Sequence, residues 1–149
     1  MTTILIAGLA AGTLDLALAI TFFTISGAPL DAVPHAIASG LLGPRAFLGG
    51  VPTAILGVAL HYFIALTVAA VYYFLSRKIR LLNVRPYLAG TVYGLAVFTF
   101  MQHIVLPLSR EPRSHPTHAW LVADVASHIF FIGITIALIT RYFAARLLR

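Results

Sequence analysis

Four apolar segments dominate the sequence, and each is about the 20 residues that an α-helix needs to cross a hydrocarbon core roughly 30 Å thick. They cover residues 4–25, 52–75, 87–108 and 119–139. Only 9% of the residues are charged, whereas soluble domains carry about 25%. A chain with so few charges cannot cover a water-exposed surface. The sequence therefore predicts an all-α membrane protein, a single transmembrane domain that folds as a four-helix bundle.

The segment between the first two spans, residues 31–50, is too short to cross a bilayer and is interrupted by glycine and proline. Asp31 or Pro34 is positioned to begin a short helix, and Gly43 and Pro44 are positioned to end it. We expect this helix to lie at the membrane interface or to re-enter the membrane over the bundle.

The first span also has the length of a secretory signal peptide. Signal peptides begin with basic residues and have an uninterrupted apolar core. In this chain no Lys or Arg precedes the apolar run, and Asp15 interrupts it. We therefore expect the segment to be retained as a membrane-spanning helix.

The basic residues predict the orientation of the spans. One end of the spans carries seven of them: Arg77, Lys78, Arg80, Arg85, Arg141, Arg146 and Arg149. The other end carries three: Arg45, Arg110 and Arg113. Because basic loops stay in the cytoplasm, both termini are expected there. The basic residues mark span ends and form no single basic face, which argues against nucleic-acid binding and leaves the lipid bilayer as the main partner.

Five ionisable side chains fall inside the predicted spans: Asp15, His61, His103, Asp124 and His128. An ionisable group in hydrocarbon costs about 2.5–3.5 kcal/mol on insertion scales, so each should face the bundle and have a partner. From the outer helix ends, Asp15, His61 and His128 lie about 14–15 Å deep, and Asp124 and His103 about 7–8 Å. The sequence therefore predicts two stacked polar layers that open toward the outside.

Two interpretations of these layers remain open. Asp124 and His128 are four residues apart and share a helix face, and Asp15 lies at a similar depth to His61. Asp124–His128 and Asp15–His61 could be structural pairs that hold helices together. Alternatively they form a site, with Gln102 as a neutral companion, because a carboxylate that orients an imidazole is typical of metal ligands and proton relays.

Histidines also raise the question of a cofactor. His61 and His128 could be axial ligands of a haem or a chlorophyll-type pigment, or could hold a metal, although a bundle of this size has little room for a macrocycle. On the outer side, His35, His115 and His118 give a weak zinc signal, because the last two flank a proline and have no carboxylate triad nearby. The sequence has no cysteine, no nucleophile elbow and no phosphate-binding loop.

Two pairs of glycines predict close helix contacts. Gly8 and Gly12 lie in the first span, and Gly90 and Gly94 in the third, each pair four residues apart. These faces could meet within one chain, or between chains in a homo-oligomer or a larger membrane complex. His103 is thirteen residues after Gly90 and is expected to point away from that glycine face.

Several short motifs are spread along the chain, at residues 36–44 (AIASGLLGP), 49–50 (GG), 60–63 (LHYF), 85–86 (RP), 93–94 (YG) and 105–109 (VLPLS). On these motifs the chain resembles an uncharacterised family of small bacterial four-span inner-membrane proteins, distantly YagU-like, from its first span through His128. The resemblance implies a bacterial inner membrane and puts Asp15, His61 and His128 on family positions. His103 and Asp124 depart from the pattern. The resemblance implies no activity.

Two functional hypotheses follow from the residues. The first is a membrane protein that handles a proton, an ion or a small ligand at Asp15, His61 and His128, and it predicts a water-accessible cavity open to the outside. The second is a non-catalytic accessory or scaffold subunit of a larger membrane complex. An enzyme is the least favoured class, because the sequence has no complete set of nucleophile or metal ligands.

Overall fold

The computed structural model describes residues 1–112 and 117–146, and all their regular structure is helical. The helices are α1 (Thr2–Ile25), α2 (Ala32–Leu42), α3 (Gly50–Lys78), α4 (Arg80–Val84), α5 (Pro86–Leu108) and α6 (His118–Arg146). Four of them, α1, α3, α5 and α6, are long and apolar enough to cross a membrane. This confirms the prediction of an all-helical chain with four such helices. Arg113, His115 and Arg149, which entered the orientation and zinc predictions, lie outside the described residues.

At the end of the molecule that carries most of the basic residues, two helices extend past the predicted apolar segments. α3 continues to Lys78, and α6 continues to Arg146, well beyond the apolar limit predicted at residue 139. Residues 140–146 contain neither glycine nor proline, so nothing in the sequence stops the helix where the apolar segment ends. The connection between α3 and α5 is also helical, as the short helix α4.

The connection between α1 and α3 contains α2 and then a 3₁₀ turn, Gly43–Leu48. Gly43 follows α2 with φ of 64°, a left-handed conformation that side chains rarely adopt, so the helix stops there. α2 then packs on α3, where a side chain at Gly57 would overlap the backbone of Pro34. Gly57 lies about 10 Å along α3 from its first residue, so α2 contacts α3 about two turns into that helix.

The first glycine pair brings α1 against α3. A Cβ atom at Gly8 would lie 2.8 Å from a side-chain carbon of Leu66, and one at Gly12 would lie 2.9 Å from the Cβ of Ala65. These distances are shorter than ordinary van der Waals contact, so only glycine lets the two backbones approach this closely.

The second glycine pair brings α5 against α6, where a third glycine completes the contact. A Cβ at Gly133 would overlap the carbonyl oxygen of Gly90, and one at Gly94 would overlap the carbonyl oxygen of His128. Both predicted glycine faces are therefore covered by helices of the same chain.

The interior of the basic half contains an apolar core together with three buried polar side chains, those of Thr3, Ser76 and Thr140. The buried residues of the core are Ala7, Ala11, Ala69, Tyr72, Ile132, Ile136 and Ala137. The two tyrosine hydroxyls in this region donate to backbone carbonyls, that of Tyr72 to Leu82 at 3.2 Å and that of Tyr93 to Val68 at 2.7 Å. The five ionisable residues predicted to lie within the spans are all in the other half, between this core and the ends of the helices opposite the basic residues.

Candidate functional site

Five polar side chains from three helices meet in the half of the molecule that lies opposite the basic residues. We call them the Asp–His cluster: Asp15, Gln102, Asp124, Ser127 and His128. The hydroxyl of Ser127 on α6 donates to the carboxylate of Asp15 on α1. The side-chain amide of Gln102 on α5 donates to Oδ2 of Asp124 at 3.1 Å. Nδ1 of His128 lies 3.1 Å from Oδ1 of Asp124 and 2.9 Å from its backbone oxygen. The cluster therefore joins α1, α5 and α6.

The contacts of His128 determine which of its ring nitrogens carries the hydrogen. Both oxygens beside Nδ1 belong to Asp124 and are acceptors, so Nδ1 is the donor. In the neutral ring, Nε2 then holds a lone pair. Within residues 1–112 and 117–146, no hydrogen bond reaches that nitrogen. His128 therefore presents an oriented base whose lone pair is available to a proton or a ligand.

Burial in the cluster is extensive but incomplete. The side chains of Asp124 and His128 are 13% and 14% exposed, and Ser127 is buried. A carboxylate in such surroundings needs donors, because an unpaired buried charge is costly. Asp15 and Asp124 each have at least one donor, and both act electrostatically on His128. Two carboxylates around one imidazole can therefore compensate the positive charge of a protonated ring.

Two π-helical segments flank the cluster. Gln102 lies in the segment Met101–Val105 of α5, and His128 begins the segment His128–Ile134 of α6. Such segments are rare within α-helices and occur frequently at functional sites. Here they coincide with the residues that link α5 to α6.

His61, which the sequence offered as one possible partner of Asp15, has a different partner. Its Nε2 lies 2.8 Å from the backbone oxygen of Gly12, so this nitrogen donates to the carbonyl. The next residue, Tyr62, has its hydroxyl 2.9 Å from Oγ1 of Thr13. Asp15 instead bonds to α6. His61 therefore links α3 to α1 outside the Asp–His cluster.

His103 also lies outside the cluster. It is exposed, and its Nδ1 is 3.0 Å from the backbone oxygen of Thr99, one turn earlier on the same helix. The sequence spacing predicted that it points away from the glycine face. Gln102, its neighbour, is the α5 residue that reaches Asp124.

The two other histidines of the described residues, His35 and His118, have different surroundings. His35 is buried, with Nε2 3.0 Å from the backbone oxygen of Gly50 and Nδ1 3.8 Å from Oδ2 of Asp31. His118 is exposed at the start of α6. Among the described residues, no three histidine or acidic side chains are grouped so that they could hold a metal ion.

A tetrapyrrole held between His61 and His128 does not fit this arrangement. Nε2 of His61 is bonded to Gly12 on α1, whereas His128 is bonded within α6 and contacts the ring of Phe98 on α5 at 5.5 Å between centroids. The two imidazoles thus face different helices. Two concavities on the described surface are lined by apolar residues of α3 and α6 together with Asp31, and neither of these two contains a residue of the cluster.

Ser127, the partner of Asp15, was not among the site residues predicted from the sequence. The sequence does contain an indication of this contact. Ser127 is three residues after Asp124 and therefore lies on the same side of α6. It also lies about 12 Å from the predicted outer end of its span, close to the depth of Asp15. The partner of His61 had no such signal, because it is a backbone carbonyl.

Glu111 gives a testable pH effect outside the spans. It follows α5, and burial raises the pKa of its carboxyl above the usual value of 4.5. Since the folded state binds this proton more tightly than the unfolded state, the carboxyl stabilises the fold at low pH. That contribution is lost as the pH rises from the unfolded pKa through the folded one.

Between these two pKa values, the unfolding free energy of the wild type should fall relative to that of Glu111→Gln. Parallel slopes for the two proteins would show that Glu111 is not desolvated.

Comparison of the chain with protein-family models, with curated proteins and with solved structures gives no match. The functional conclusion therefore depends on the geometry of the Asp–His cluster and on the physical chemistry of its residues.

Proposed function

We propose that the protein binds and releases a proton at the Asp–His cluster, within the membrane, as the central step of its function. The observation that supports this best is the pairing of Nδ1 of His128 with Asp124, which leaves Nε2 as an oriented lone pair without a partner in the described part of the chain. Imidazole is the side chain whose charge changes most readily near neutral pH. A carboxylate beside it is the arrangement that proton relays use.

The cluster is better suited to a proton than to a metal ion. Among the described residues, Nε2 of His128 is the one ring nitrogen of the cluster without a hydrogen-bond partner, and each carboxylate already accepts a hydrogen bond from a neighbouring side chain. Asp124 lies only about 9 Å along α6 from the first residue of that helix. Between the cluster and the basic end of the molecule, the interior is filled by residues such as Ala11, Ile132 and Ile136. We infer that the proton exchanges with the end of the protein opposite the basic residues.

We also infer how the chain lies in a membrane. The four long helices form a transmembrane bundle in a bacterial inner membrane, with both termini in the cytoplasm and α2 beside the outer headgroups. The excess of basic residues at one end supports this orientation. The family resemblance of the sequence motifs supports the bacterial inner membrane.

Infrared difference spectroscopy of the protein in lipid nanodiscs tests the proposal. A pH step within about pH 5–8, the range in which histidine titrates, should change the imidazole bands and the carboxylate bands together, because the proton on His128 strengthens its contact with Asp124. Imidazole bands that change without any carboxylate change would contradict a coupled Asp124–His128 site.

A non-catalytic scaffold subunit is the alternative, and one observation favours it. Asp15 and His61 each bond to a neighbouring helix, which is all that a purely structural polar contact requires. In that case neither carboxylate would respond to pH in the range where histidine titrates. The same spectra therefore separate the two functions.

A further inference from the structure

The basic end of the protein carries a positive charge that no side-chain carboxylate balances. Its described basic residues are all exposed: Arg77, Lys78, Arg80, Arg85, Arg141 and Arg146. The four acidic residues of the chain lie elsewhere, at Asp15, Asp31, Glu111 and Asp124. The described residues form two ion pairs, each between a histidine and an aspartate, and both pairs lie in the half of the molecule away from the basic end. Six like charges at one end repel one another and attract anions.

Apolar side chains are interleaved with these cations. In and around the short helix α4, Ile79, Leu81, Val84 and Tyr87 are 45%, 55%, 57% and 65% exposed. Exposed apolar side chains of this kind, next to the ends of apolar helices, are stable when they are buried at the boundary between the headgroups and the acyl chains. At that depth Arg80 and Arg85 would lie level with the lipid phosphates.

We propose that this basic end binds the headgroups of anionic phospholipids in the adjacent leaflet. Arginine presents several N–H donors in a planar fork that matches phosphate oxygens, and a net negative headgroup supplies the missing counter-charge. The exposed apolar side chains favour a lipid over a soluble phosphate, because only a lipid offers acyl chains beside the phosphate. Clusters of basic residues next to membrane-spanning helices bind anionic lipids in this way.

Electron spin resonance with spin-labelled lipids tests the assignment in vesicles of phosphatidylcholine. We expect spin-labelled phosphatidylglycerol to associate with the protein more strongly than spin-labelled phosphatidylcholine, and this preference to shrink as salt is added. The double variant Arg77→Gln/Arg80→Gln should lower the preference by about two- to fivefold for each charge removed. The matched control is Arg45→Gln/Arg110→Gln at the opposite end, which should leave the preference unchanged.

Three results would overturn the assignment. One is an equal association of the two lipids with the wild type at low salt, which needs no variant to fold. Another is an equal loss of preference in the two double variants, which would show an effect of net charge alone. The third is removal of the preference by inorganic phosphate at a concentration where chloride of equal ionic strength has no effect. That result would indicate a site for a soluble anion in place of a lipid.

Discussion

Replacement of Gly133 by alanine is expected to lower the free energy of unfolding by about 3 kcal/mol, the upper part of the range for overpacked interiors. The added Cβ would overlap the carbonyl oxygen of Gly90 and come within 2.7 Å of the backbone nitrogen of Gly94. Both neighbours are backbone atoms of α5 and cannot rotate away. The helices α5 and α6 would have to separate along their glycine contact.

Gly40→Ala is the matched control for this variant. Gly40 also lies in a helix, but its added Cβ would meet the nearest side-chain atom, the Cβ of Ser109, at an ordinary 3.7 Å. Because alanine is a better helix former than glycine, this variant should be neutral or more stable by up to about 1 kcal/mol. Reversible unfolding in mixed micelles measures both values. A Gly133→Ala protein as stable as Gly40→Ala would contradict the close packing of α5 on α6.

Replacement of His128 by phenylalanine is expected to abolish the pH-dependent change in the carboxylate bands of Asp124 between about pH 5 and 8. In the wild type this change arises because the proton gained by His128 alters the hydrogen bond at Oδ1 of Asp124, 3.1 Å from Nδ1. Phenylalanine has a similar size but no proton to exchange. The infrared difference spectrum of Asp124→Asn identifies which band belongs to Asp124.

His103→Phe provides the control for this experiment. It removes a histidine of the same span region, but His103 bonds only to the backbone of its own helix among the described residues. We therefore expect it to remove an imidazole signal and to leave the carboxylate bands in place. If His103→Phe suppressed those bands as strongly as His128→Phe, the coupling could not be assigned to the Asp–His cluster.

The four long helices were predictable because the length of an apolar run is a property of the sequence alone. The Asp124–His128 pair was predictable for a similar reason, since a spacing of four residues places two side chains on one helix face. The outward direction of His103 followed from its spacing to Gly90. Each of these features depends on one helix at a time.

The partners of Asp15 and His61 depend on how separate helices are rotated against each other. That rotation is fixed by the close approach at Gly12 on one side of α1 and at Gly94 and Gly133 on the facing surfaces of α5 and α6. Equal depth in the membrane was not enough to choose between His61 and Ser127 as the partner of Asp15. A backbone acceptor such as the Gly12 carbonyl has no signature in the sequence at all.

Nitrogen-15 solid-state NMR of the histidine side chains in lipid bilayers tests the central claim most directly, because it distinguishes the two neutral tautomers and the protonated ring. At a pH where the rings are neutral, the structure requires the hydrogen of His128 on Nδ1, facing Asp124, and that of His61 on Nε2, facing the Gly12 carbonyl. On acidification His128 should gain its second hydrogen on Nε2. If neutral His128 carried its hydrogen on Nε2, Nδ1 could not donate to Asp124, and the proposed proton site would be wrong.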